Sequence, residues 1–180
     1  NYFYIDRCSF QEAFVNILYR GFNACFISNS IIVDGTGKTE LGAGFRVLSG
    51  IGTFFFTNTF FLNNDIGIDF TGTAFLEEYS NAQITNCKID GAAVSTYGIR
   101  VDENITQLKV TNVDSFNLGS SFLRIEDGSS LSRSSIAQVT LNGSDETDYV
   151  IDNRGSIQDV SVRDMYAKAL NFDKYNNVVD

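Results

Sequence analysis

Apolar and polar positions along this chain fall into a two-part unit that returns seven times. The first part is a short apolar strand closed by a small bend: residues 3–10 (FYIDRCSF), 25–32 (CFISNSII), 54–61 (FFFTNTFF), 82–89 (AQITNCKI), 108–115 (LKVTNVDS), 137–144 (AQVTLNGS) and 158–165 (QDVSVRDM). The second part is a shorter strand: VNI, FRV, IDF, IRV, LRI, YVI and LNF, ending at Ile17, Val47, Phe70, Val101, Ile125, Ile151 and Phe172. The centres of the first strand, Ile5, Ile27, Phe56, Ile84, Val110, Val139 and Val160, recur on average every ~26 residues. A third apolar column follows five residues later at Phe10, Ile32, Phe61, Ile89 and Met165, with Phe116 one residue late. In the second strand the outer residues are apolar and the middle one is charged, so period two places Arg46, Asp69, Arg100 and Arg124 on the opposite face. Repeats of this length are units that bury their apolar face only against their neighbours. The pattern predicts an all-β solenoid of about seven coils, each with three short strands. A two-layer sandwich would not repeat the same strand pair seven times.

Asn29, Asn58, Asn86 and Asn112 occupy one place in four consecutive repeats, between the first and third apolar columns. Counting by twos from the first column points them inward, and a buried amide requires a hydrogen-bond partner. This predicts an internal ladder of asparagines over the middle four coils, with Arg7, Leu141 and Val162 at the outer positions. Asparagine is also an ordinary turn residue, which is the competing explanation.

The apolar strand, the asparagine, the next apolar residue, a loop and then G-I-x-V or its like (GIDF at 67–70, GIRV at 98–101) resemble the right-handed parallel β-helix of the pectin-lyase-like superfamily. Within it the chain is most similar to phage tailspike and tail-fibre segments. The resemblance covers essentially the whole chain and is specific for fold rather than activity, because one fold hosts many functions. It implies a shaft or receptor-binding segment in a virion tail or outside the cell, assembled as a homotrimer and gripping cell-surface polysaccharide. The alternative it implies is an endoglycosidase or lyase acting on such a polysaccharide.

Composition narrows the partners. Proline is absent, as suits strands paired on both sides. A net charge of −9 argues against nucleic acid, which needs a basic footprint, and against an anionic membrane surface. No apolar run approaches the roughly 18 residues of a membrane span. The 180 residues are expected to form one domain. Asn1 opens the chain without a methionine and no amphipathic helix covers the first coil, so the sequence is expected to be a piece of a longer protein. Cys8 and Cys87 take equivalent places three coils apart, about 14 Å, which is too far for a disulfide; with Cys25 they are expected to be three free thiols.

Candidate chemistry is sparse. DGTGKTE (34–40) ends like a phosphate-binding loop, but Ile32 stands where that loop needs glycine and a strand follows where it needs a helix. Clustered histidine or cysteine ligands and calcium-binding nonapeptides are missing, so neither a metal nor a cofactor is implied. NIT (104–106) and NGS (142–144) read as turn residues rather than glycosylation sites. The residue after the second strand is acidic in four successive repeats: Asp102, Glu126, Asp152 and Asp173. Stacked one rung apart, such carboxyls raise one another's pKa and reach the separations used by glycosidases. Asp102, Glu126 and Asp152 are therefore candidate acid, base or nucleophile, and Arg100 and Arg124, two residues before the first two, are candidates to hold an acidic sugar. The competing reading is a solvated acidic stripe beside an ordinary charge-paired surface.

Overall fold

In the computed structural model, which describes residues 2–20, 24–37, 41–49, 52–71, 81–92, 96–142 and 149–167, every strand pairing is parallel. The fold is an all-β solenoid of about five turns rather than seven. The second strand of the last repeat, residues 170–172, lies outside the described residues. An eleven-stranded sheet forms one wall, running from Phe3–Asp6 through Cys25–Ser28, Thr53–Thr57, Asn81–Gly91, Leu108–Phe116 and Ser130–Asn142 to Ser156–Ala167. Ser9–Ala13, Ile31–Gly35 and Phe60–Asn64 form a second limb of the same sheet in the early coils, which later strands absorb by continuing round the bend. A six-stranded sheet closes the other wall with Val15–Arg20, Ala43–Ser49, Ile66–Thr71, Tyr97–Asp102, Ser121–Ile125 and Tyr149–Asn153.

The first apolar column stacks as expected through Ile5, Ile27, Phe56, Ile84 and Val110. It then continues through Ile136 and Val162, not Val139 and Val160. Val139 stacks instead on Val113 and Met165 in the next column round the bend. The sequence pattern slipped here because VTLN and VSVR offer apolar residues at every second position, leaving the register to the bends. Similar shifts put Tyr19 rather than Ile17 opposite Val47, and Asn153 rather than Ile151 opposite Ile125. In the third column Ile89 is followed by Ser115 and Leu141 rather than by Phe116.

The asparagines form a ladder, but it faces solvent. Asn29, Asn58, Asn86 and Asn112 are all exposed, with φ between 49° and 53°. One left-handed residue turns the corner between two strands and breaks the period-two count. Ile84 and Cys87, on either side of Thr85 and Asn86, both point inward and are buried. Counting by twos through the bend therefore assigned the asparagines to the wrong side. Outside glycine, left-handed backbone is tolerated best by Asn and Asp. The register places this corner at Arg7, the four asparagines, Gln138 and Asp164, every one at positive φ. Leu141 and Val162 are core-column residues instead.

The first four of these corners are tied by the next residue. The side chains of Cys8, Ser30, Thr59 and Cys87 donate to the carbonyls of Asp6, Ser28, Thr57 and Thr85 respectively, two residues back across the bend. Ser134 does the same to Ser132 across Arg133, at a separate left-handed corner of the later coils shared with Gln107 and Asp159. A small donor after a left-handed residue is thus the local rule behind SNS, TNT and TNC. All three cysteines are free, with Cys8 exposed and Cys25 and Cys87 buried.

Phe45, Phe54, Phe56, Phe61 and Phe70 fill the early coils without exposure. They meet edge to face, as in Phe45–Phe56 at 5.0 Å and 76°. This is the preferred arrangement of buried rings. The later coils are filled mainly by Ile, Val and Leu, with Phe122.

Candidate functional site

The outer face of the six-stranded sheet carries the chemistry. Register stacks Arg46, Asp69, Arg100, Arg124 and Asp152 in one outward column. Asp102 pairs with Thr71 in the column beside it, and the pairing of Val101 with Ile125 sets Glu126 one rung beyond Asp102. Asp152 therefore does not continue the Asp102–Glu126 stripe; it sits opposite Arg124. The last second strand is shifted by two residues, because it is Asn153, not Ile151, that faces Ile125. Asp173 lies outside the described residues.

Alternation predicted a charge-paired outer surface, and the pairing is present but largely buried. Asp69 is 0% exposed and is gripped from the rungs on either side. Arg46 Nε donates to one of its oxygens at 2.6 Å, while Arg100 donates through Nε at 2.9 Å and Nη2 at 3.1 Å. Arg46 also donates through Nη2 to the Leu41 carbonyl at 2.8 Å and lies over the Phe14 ring. Arg124, 5% exposed, pairs with Glu126 at 3.0 Å and with Asp152, above the Tyr97 ring. Arg154 joins Asp152 at 3.5 Å. Burial acts to lower the pKa of both Arg100 and Arg124. The carboxylates around them outweigh it and hold both guanidiniums above their ordinary value: Asp69, Asp102 and Glu126 for Arg100, and Glu126 and Asp152 for Arg124.

Asp102 accepts a hydrogen bond from Thr71 Oγ1 at 3.2 Å. By rung geometry its Cα lies about 4.8 Å from that of Glu126. Next to it Glu103, which the sequence pattern did not single out, has its pKa raised by burial and by the Asp102 charge. Leu41, Arg46, Leu48, Thr71 and Arg100 line a pocket of about 330 Å³ on this face. That is the lower end of the range for small-molecule sites. Of these residues the sequence pattern singled out Arg100 for a site and Arg46 only as surface charge. A signal was available, since Arg46 and Arg100 bracket one acidic residue in the column, but alternation does not say that the face is recessed. Among the described residues no group of three or more His, Cys, Asp or Glu is placed to hold a metal ion.

A second outward feature is aromatic. Tyr4, Phe26 and Phe55 stack face to face, with centroids 4.8 and 4.7 Å apart and planes within 10°. That spacing is the rung repeat itself. Phe26 has both faces covered by its neighbours, so this stack stiffens the wall more than it offers platforms to a sugar.

The chain matches no protein-family model, and comparison with curated proteins and with solved structures finds no match.

Proposed function

We propose that this solenoid is the shaft and receptor-binding segment of a phage tailspike or tail fibre, attaching to host cell-surface polysaccharide through the outer face of the six-stranded sheet. The observation that carries the reading is the pocket at Arg46, Thr71 and Arg100, on the same wall as the ion-paired cluster of Arg124, Glu126 and Asp152. Parallel winding gives the coarse architecture, a β-solenoid, that the resemblance to pectin-lyase-like β-helices implies. A surface built of stacked rungs with a recessed polar site suits reversible attachment to a long glycan. The same reading places the protein in a virion tail, or outside the cell, as a homotrimer. Outward Ile31 and Phe60, neighbours on adjacent rungs, are 40% and 44% exposed and supply apolar surface for side-by-side packing.

A polysaccharide hydrolase or lyase is the second reading, favoured by the adjacency of Asp102 and Glu126 and by the raised pKa of Glu103 beside them. It is weakened because the carboxylates are engaged already: Asp102 with Thr71, Glu126 with Arg124, and Asp152 with Arg124 and Arg154. Incubating the protein with purified capsule or O-antigen separates the two. Retention of the glycan without released oligosaccharide is expected. Release that disappears in Glu126→Gln supports the enzyme, and failure to retain any surface glycan overturns the attachment reading.

A further inference from the structure

We propose that the pocket between Arg46 and Arg100 takes the anionic substituent, a carboxylate, sulfate or phosphate ester, of a glycan whose backbone is otherwise mostly uncharged; this rests on the polysaccharide reading above. The first ground is shared neutralisation. Two guanidiniums converge on one buried carboxylate, Asp69, so at the floor of the pocket each is only partly neutralised by direct contact, while the next carboxylate, Asp102, is held by Thr71 at the rim. The second is donor supply. A guanidinium offers five N–H donors. Nε and Nη2 of each arginine are taken by Asp69 and the Leu41 carbonyl, whereas neither Nη1 has a partner among the described residues. The third is pre-organisation. Asp69 already fixes both side chains, so little rotamer freedom is lost when an anion arrives.

The remaining lining fits a sugar around that anion. Leu41 and Leu48 provide apolar walls for ring C–H groups. Thr71 donates its proton to Asp102, leaving its oxygen free to accept from a sugar hydroxyl. Net charge sets the density of acidic groups. At −9 the chain repels a polyanion at long range, so one seated charge on a sparsely charged glycan is favoured over a continuous acidic polymer.

The test leaves the Asp69 pairs intact and alters the wall. Leu48→Glu places a carboxylate beside the pocket, and Leu48→Gln is the uncharged control of similar size. An array of neutral, glucuronate-containing and sulfated oligosaccharides is probed with each protein, with matching melting curves confirming that both variants fold. Inorganic sulfate is titrated in parallel. The expected result is preferential retention of the acidic members by the wild-type chain; Leu48→Gln weakens neutral and acidic members alike and keeps that preference, whereas Leu48→Glu reduces it about tenfold or more. Equal retention of neutral and acidic members leaves the polysaccharide reading standing and overturns the anion site. A thermal shift from sulfate alone, with no glycan retained, means an adventitious ion only and overturns it as well. Retention of no glycan and no response to sulfate removes both readings.

Discussion

Asn58 shows what a corner asks of one residue. Its φ of 50° is costly for most side chains and milder for asparagine, and its amide donates to Asn29 Oδ1 at 3.2 Å, as Asn112 donates to Asn86 at 2.8 Å. Asp6 ends the run, with its pKa lowered chiefly by hydrogen bonds from Ser28 and Asn29. Asn58→Ala is expected to cost about 1–2 kcal/mol, from the left-handed penalty and the lost hydrogen bond. Asn58→Gly should cost less, because glycine removes the first of these. Denaturant midpoints check this, and equal stability of Ala and wild type would show that the corner makes no such demand. Asp69 sets a harsher requirement. Asp69→Ala leaves Arg46 and Arg100 without their shared counter-ion in a recessed site and should cost about 3–5 kcal/mol. A loss below 1 kcal/mol by the same denaturant measurement would mean that water reaches the pair freely.

The thiols belong to the same scale. Burial pushes Cys25 up to about 12 and Cys87 up to about 11, from 9.0. A folded thiol held above its unfolded value adds stability that is complete below pH 9.0 and is lost as pH climbs through the folded values. Stability should therefore fall from about pH 9 towards 11. At pH 8 iodoacetamide should alkylate exposed Cys8 quickly and the other two only on unfolding. Three equally fast thiols, counted by mass spectrometry, would contradict the buried placement.

Among the elements, strand, corner and next strand add up to a coil that can be removed whole. Lys109 pairs with Ser135 and Val110 with Ile136, so 26 residues separate vertical neighbours there. Deleting 109–134 joins Leu108 to Ser135 in register, whereas deleting half that length sets core residues on the wrong wall. The full-coil deletion should retain a cooperative melt and a β-type circular dichroism spectrum, and the half-coil deletion should lose both. This is also where the sequence was readable and where it was not. Five rungs of the first column followed from spacing alone, because FFFTNTFF and AQITNCKI place their apolar residues unambiguously around one corner. The last two did not, since 137–144 and 158–165 alternate apolar residues on both sides of corners held by Gln138 and Asp164 and so admit two registers. The asparagines were found by position yet turned the wrong way, because a left-handed φ leaves no mark in an apolar–polar count. Arg46 and Asp69 were seen as a charged face. That the face is recessed, with a pocket in it, depends on how Leu41, Leu48 and Thr71 meet in space.

For the whole molecule the governing statement is vertical adjacency: residues one coil apart in sequence lie one rung apart along the axis. The core stacks, the corner ladder, the Asp69 clamp and the pocket between two rungs of arginine all follow from it. Thr57, Thr85 and Thr111 are consecutive partners on the outer face of the eleven-stranded sheet, which makes the statement measurable. Neighbouring rungs place Cα atoms about 4.8 Å apart, within disulfide reach, and alternate rungs about 10 Å apart, beyond it. With Cys8 replaced by serine, Thr85→Cys paired with Thr111→Cys should cross-link on mild oxidation, and Thr57→Cys paired with Thr111→Cys should not. Cross-linking of the second pair and not the first would contradict the winding itself, and with it every site described on its surface.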